Sequence, residues 1–221
     1  MKATLYLLFL LCISTLVAQD WANLEQYKQA NEMIVSQDEN IEIVFFGDSI
    51  TESWPNFNAA FFNDNAFVGR GISGQTTPQM LLRFRQDVIS LQPKKVVLLA
   101  GINDIAQNTG PIALEAIMDN IISMAELAKS NGIEMLLCSV LPANFFPWRP
   151  EIVPTQKVIK LNELFRSYAN DNNLIYVDYY TAMVDQKQGL NSELGYDTVH
   201  PNKAGYAVME QILMNALNGR Q

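Results

Sequence analysis

Histidine is almost absent from this chain: its 221 residues hold one, His200. Multi-histidine metal sites are excluded, and any chemistry that needs an imidazole must centre on residue 200. Cysteine is nearly as scarce, with two in the sequence, Cys12 and Cys138. Cys12 lies in an apolar leader, so the chain without that leader can form no internal disulfide. Cys138 closes the run Met135-Leu136-Leu137-Cys138, the setting of a buried strand where a thiol behaves as a small hydrophobe. Positive charge is also short, with 15 Lys and Arg against 23 Asp and Glu and a formal net charge of −8. Such a surface argues against nucleic acid and anionic membranes as partners and suits a neutral or cationic ligand. No Gly/Ser linker, low-complexity tract or repeat divides the chain.

A long apolar run occurs once, at the start. Lys2 precedes Leu5 to Val17, broken only by Ser14 and Thr15, and Leu16-Val17-Ala18 follows as a small-residue cleavage signal. The reading is a secretory signal peptide over 1–18, with an uncleaved anchor as the alternative. Leucine before Cys12, where a small residue would be expected, argues against lipid attachment. A secreted or periplasmic destination of bacterial type is expected, with no stable membrane insertion after cleavage, since an exported chain without disulfides fits that setting. Residues 19–221, about 200 in number, suit a single domain with a sizeable core.

Five apolar runs have strand character: Ile41–Phe46, Ala66–Val68, Val96–Ala100, Met135–Val140 and Leu174–Val177. Most are continuous rather than alternating, as strands covered on both faces are. Helical spacing links Leu114, Ile117, Met118, Ile121, Ile122 and Ala125; then Val158, Leu161, Leu164, Phe165 and Tyr168; then Tyr206, Met209, Leu213 and Leu217. Another helix is expected over Thr77 to Gln92, and an extra N-terminal one over about 20–37, centred on Trp21 to Val35. Proline at 78, 111 and 201 is placed for first helical turns. Alternating strands and helices imply an α/β fold with a parallel sheet between helical layers. Functional residues in such sheets gather at the carboxyl ends of the strands.

The first strand runs into Gly47-Asp48-Ser49-Ile50-Thr51, a tight exit that sets a serine at the rim near a helix start; such turns also serve as plain caps. The second leads to Gly69-Arg70-Gly71-Ile72-Ser73-Gly74, a literal match to the dinucleotide-binding pattern. That fingerprint belongs after the first strand, with an acid at the end of the next, and Asp87 falls instead in an apparent helix. A glycine-rich bend for close backbone approach is the better reading, and no cofactor is expected. The third strand ends in Ala100-Gly101-Ile102-Asn103-Asp104, where Asn103 is an amide donor or a turn residue. Asp197-Thr198-Val199-His200 places a carboxylate within reach of the imidazole, although His200 before Pro201 also suits a cap.

Together these blocks resemble those of the SGNH hydrolases, the GDSL esterase/lipase family, in order and spacing from about residue 41 to the C-terminus. The resemblance implies a flavodoxin-like three-layer α/β/α sandwich with five parallel strands, and cofactor-free ester hydrolysis without a metal. It implies Ser49 as nucleophile, His200 as general base and acid, and Asp197 as the group orienting it. It implies an oxyanion hole of the Ser49 and Gly74 N–H groups and the Asn103 amide, with Asp48 and Asp104 bracing the loops. Gly-Asp-Ser-Ile-Thr-Glu-Ser-Trp and Arg-Gly-Ile-Ser-Gly-Gln-Thr-Thr are similar to the branch holding platelet-activating-factor acetylhydrolase subunits and bacterial carbohydrate acetylesterases. That implies short acyl groups on a small-molecule or glycan ester. A lysophospholipase or thioesterase is the nearest rival, and a non-catalytic carbohydrate-binding module is the alternative of another class. Trp54 and Phe57 follow the serine, and Phe145-Phe146-Pro147-Trp148-Arg149-Pro150 follows the fourth strand. Trp54, Phe57, Phe146 and Trp148 are read either as substrate contacts or as a plug of the sheet end, and Arg149 as a candidate ligand for an anion.

Overall fold

The strands form because runs of β-branched and aromatic residues are buried on both sides. In the computed structural model, which describes residues 20–219, they are β1 (Ile43–Gly47), β2 (Phe67–Gly71), β3 (Lys95–Leu99), β4 (Glu134–Cys138) and β5 (Ile175–Val177). They make one sheet in the order β2-β1-β3-β4-β5, and every pairing is parallel. This is the three-layer α/β fold expected from the element order. The signal-peptide reading over 1–18 falls outside the described residues. Among those described, no helix is long and apolar enough to cross a membrane.

Side-chain alternation divides the core. Val44, Phe46, Val96, Leu98, Met135 and Leu137 face one way. They pack against the helices α4 (Thr77–Asp87), α6 (Leu114–Ser130) and α7 (Thr155–Asp171). Ile43, Phe45, Val97, Leu99, Leu136 and Cys138 face the other way. They meet α2 (Ser49–Phe57), α3 (Ala59–Asn63), α8 (Tyr179–Met183) and α9 (Lys203–Leu217). Full burial pushes the Cys138 thiol up to about 12, so it stays a neutral packing group.

Several boundaries differ from the sequence reading. The N-terminal helix α1 covers only Lys28–Ser36. Residues 21–27 are turns because side chains of α4 and its approach take their backbone carbonyls. Gln79 donates to Trp21 O (2.6 Å), Gln75 to Ala22 O (2.7 Å) and Gln86 to Leu24 O (2.5 Å). The second strand does not stop at Val68 but continues through Gly69-Arg70-Gly71. Gly71 lies so close beneath α2 that a Cβ there would sit 2.1 Å from the Glu52 backbone nitrogen. Close packing thus accounts for that part of the glycine pattern. The helix from Thr77 ends at Asp87 and gives way to a 3-10 turn, Ile89–Leu91. Pro78 lies in the first turn of α4, but Pro111 and Pro201 precede their helices, α6 and α9. For α9 the cap is Asn202, whose side chain accepts from Ala204 N (2.9 Å) and Gly205 N (3.1 Å).

The sheet order places the turning point of the topology between β1 and β3. From β1 the chain steps outward to β2 and then returns to β3 on β1's other side. The carboxyl ends of β1 and β3 therefore border a crevice, and into it run Gly47-Asp48-Ser49 and Gly101-Ile102-Asn103.

Candidate active site

Ser49 is the first residue of α2, and its N–H has no acceptor within the helix. Asp48 caps α2 by accepting from Ile50 N at 3.0 Å, which fixes the exit from β1. His200 arrives from the loop before α9. Tyr206 holds that helix against α2 by donating to Ile50 O at 2.8 Å. The two segments bring Ser49 Oγ to 3.0 Å from His200 Nε2 across 151 residues of sequence. On the other edge of the ring, His200 Nδ1 lies 2.8 Å from Asp197 Oδ2. Asp197 Oδ1 accepts from Val199 N and His200 N, each at 2.7 Å. Partial burial opposes the Asp197 charge, yet these backbone donors and the imidazole outweigh it and hold the carboxyl below its ordinary value. A hydroxyl, an imidazole and an anchored carboxylate stand in one hydrogen-bonded line, an arrangement that can activate a hydroxyl.

Asn103 stands at the start of the short helix α5 (Ile102–Ile105). Its amide donates to Gln75 O (3.1 Å) and lies 3.3 Å from Asp48 Oδ2, while its Oδ1 accepts from Asn108 Nδ2 at 2.9 Å. The Gln75 carbonyl, which can only accept, fixes which end of the amide is the donor. The same Asn108 nitrogen donates to Gly74 O at 3.1 Å, tying the Asn103 and Gly74 loops together. Gly74 has φ +76°, a backbone state that glycine adopts without strain. Asn108 was not singled out from sequence, since an asparagine in a polar loop carries no signal of its own. Ser73 braces the Gly74 loop from the other side, bonding to Glu52 through both its N–H and its hydroxyl.

Two further carboxylates lie beneath the site. Asp48 and Asp104 are buried, and desolvation pushes each up to about 6. Asp104 accepts from Thr77 N (3.0 Å) and Thr77 Oγ1 (2.7 Å), so it joins the loop after β3 to the start of α4. Behind them lies a buried ion pair, Arg83 Nη1 to Asp87 Oδ2 at 3.0 Å. Arg83 also donates to Gly47 O (2.8 Å), Arg70 O (2.9 Å) and Gln75 Oε1 (2.5 Å). Arg70 reaches Asn31 Oδ1 (2.8 Å), and Asn31 Nδ2 reaches Asp87 Oδ1 (2.7 Å). This network anchors the carbonyl before Asp48 and the side chain after Gly74.

The aromatic expectations divide. Trp54 is 1% exposed, packs among Phe45, Phe61, Phe62 and Tyr206, and donates Nε1–H to Glu210 at 3.1 Å. It is a core residue with no face free for a ligand. Phe146 is likewise fully buried, and Phe57 packs on Tyr206, with ring centroids 4.7 Å apart. Arg149 is engaged by Gln107 O at 3.4 Å and Glu151 at 3.7 Å. Trp148 is 43% exposed, with its ring centroid 6.4 Å from that of His200. A residue the sequence reading passed over is nearer: Tyr196 stacks on His200 with centroids 5.5 Å apart and planes 10° apart.

Fold and strand-end chemistry together define the class, a carboxylic ester hydrolase on a parallel α/β sheet. The GDSL-like Lipase/Acylhydrolase family model matches residues 45–208, and the chain belongs to that family. A solved GDSL-like lipase from Bacteroides thetaiotaomicron is 44% identical with a TM-score of 0.85, covering 90% of this chain and 99% of that one. An acetylxylan esterase of Geobacillus stearothermophilus is 24% identical over 155 residues, 68% of this chain and 71% of that protein. The lipoprotein YqeF of Bacillus subtilis is 27% identical over 118 residues, which span 46% of this chain and about half, 49%, of that relative.

Proposed function

We propose that this protein is an exported serine esterase that removes short acyl groups, acetyl first among them, from hydroxyls of carbohydrates. The observation that carries the proposal is the continuous line Ser49 Oγ–His200 Nε2, His200 Nδ1–Asp197 Oδ2, at 3.0 and 2.8 Å. Similarity to an acetylxylan esterase supports acetyl and glycan. Similarity to a lipoprotein and the apolar leader support export.

In the first half-reaction Ser49 Oγ attacks the ester carbonyl carbon as His200 Nε2 takes its proton. The electron pair of the C=O bond moves to oxygen, which the Ser49 N–H, the Gly74 N–H and the Asn103 amide receive. Asn103 gives up a bond to a protein acceptor in doing so. The C–O bond to the alcohol then breaks, and Nε2 delivers its proton to the departing oxygen. In the second half water attacks the acyl-serine, His200 accepts the water proton, and that proton returns to Ser49 Oγ as the carboxylic acid leaves. Asp197 holds the ring tautomer and stabilises the imidazolium without being protonated itself.

Ser49→Ala is expected to lower kcat for p-nitrophenyl acetate by at least about 10³-fold with the far-UV circular dichroism unchanged. Turnover within tenfold of the parent would remove Ser49 from its role. Because the chain has one histidine, diethyl pyrocarbonate should inactivate it at a stoichiometry of one modified imidazole. In a chain-length series of p-nitrophenyl esters acetate is expected to give the highest kcat/KM; a maximum at long chains would point to a lysophospholipase.

A further inference from the structure

The general acid marks the alcohol side of an ester hydrolase. Whatever leaves must hold its oxygen within about 3 Å of His200 Nε2 as it takes the proton. The substituent on that oxygen therefore extends past the imidazole, whereas the carbonyl oxygen turns toward the oxyanion donors. Two exposed rings stand beside the imidazole. Tyr196 lies parallel to it and is 60% exposed; Trp148 is tilted by 37° and is 43% exposed. Both are held by framework. Trp148 packs on the buried Phe146 with centroids 5.2 Å apart. Thr198 Oγ1 donates to Phe145 O at 2.9 Å, joining the Trp148 loop to the loop that carries Tyr196, Asp197 and His200. Phe145, 43% exposed, continues the apolar rim. Asp197, the residue after Tyr196, is taken up by His200 and two backbone N–H groups.

We infer that Tyr196 and Trp148 form the alcohol-side subsite, a stacking surface for the apolar face of a pyranose ring whose hydroxyl carries the acetyl group. The assignment rests on the esterase reading above and adds the residues that select the leaving group. Flat, open aromatic surface fits a neutral ring that continues into solvent as a longer glycan. An alkyl chain would need an enclosed slot instead. The Tyr196 hydroxyl is not the selecting element; its ring is.

The test compares acetylated xylo-oligosaccharide with ethyl acetate, which has the same acyl group and no ring. In Tyr196→Ala and in Trp148→Ala the ratio of kcat/KM for the glycan to that for ethyl acetate is expected to fall by about tenfold or more, the effect of losing one aromatic stacking contact. Tyr196→Phe should keep the ratio within about twofold of the parent. Equal losses on both substrates, or a phenylalanine variant as impaired as the alanine one, would overturn the assignment. A parent enzyme that cleaves ethyl acetate but no acetylated glycan would overturn it while leaving the esterase reading intact; a parent that cleaves neither would remove both. Should the alanine variants fail to fold, acetylated xylo-oligosaccharide titrated into Ser49→Ala is expected to shift tryptophan emission, and Trp148→Phe in that background to abolish the shift. No shift in Ser49→Ala would count against the subsite.

Discussion

Asn108 shows how much of a site is carried by a residue that never reaches the reacting atoms. One nitrogen holds both the Asn103 amide and the Gly74 carbonyl, so its loss removes one of the bonds that orient the Asn103 amide, an oxyanion donor in the proposed mechanism. Asn108→Ala is expected to lower kcat for p-nitrophenyl acetate by about tenfold with a smaller change in KM, because orientation matters most as charge develops on the carbonyl oxygen. A matching rise in KM at constant kcat would mean that it serves ground-state binding instead. Asp48 carries a second prediction at this scale. Burial raises its folded pKa to about 6, above the ordinary carboxylate value of 3.8. Between those values the folded state binds more protons than the unfolded one, so this group's contribution to stability is full below about pH 4 and is lost as pH rises through about 6. Asp48→Asn keeps a cap for Ile50 N and removes the titration. Urea midpoints from about pH 4 to pH 7 should decline less in the variant than in the parent. The meeting of Ser49, Asp197 and His200 was legible because each is a polar group just beyond an apolar run or in a four-residue motif. For Trp54 and Phe146 contact and plug both stay open in the sequence, because adjacency to a loop does not say which way a ring faces, and in the fold both rings are buried. Tyr196 was silent because a lone tyrosine has no periodicity.

Among the elements, the strands and long helices were legible because a continuous apolar run or a helical stripe is a property of the local chain. Segment 20–27 was not, since its turns depend on glutamines from α4. The run through Gly69-Arg70-Gly71 hid a strand because its glycines answer to α2 packed above them. Arg83 binds several of these elements at once, with side chains of the ion pair wholly buried. Arg83→Leu would leave Asp87 without its cation and take one donor each from Gly47 O, Arg70 O and Gln75 Oε1. A loss of about 3–5 kcal/mol in unfolding free energy is expected, read from urea denaturation. Replacing Asp87 by leucine as well should recover part of it; a single variant within 1 kcal/mol, roughly the noise of such work, would contradict the account.

At the scale of the molecule, the order β2-β1-β3-β4-β5 opens the crevice that both Ser49 and Asn103 enter. The formal net charge of −8 gives the whole chain a field that disfavours anions. For an anionic acetate ester, kcat/KM should rise with ionic strength, while for neutral p-nitrophenyl acetate it should stay flat. A fall with salt for the anionic ester would reveal a local positive field. The contact between Ser49 and His200 also has a temporal side. Its partners are separated by 151 positions, and the imidazole sits just ahead of α9. On the proposed mechanism a nascent chain stalled midway through translation owns a hydroxyl and lacks any base to awaken it. Hydrolysis can begin only after residue 200 has been made and brought back to residue 49, so the first appearance of product is a stopwatch for the closing of this long-range contact.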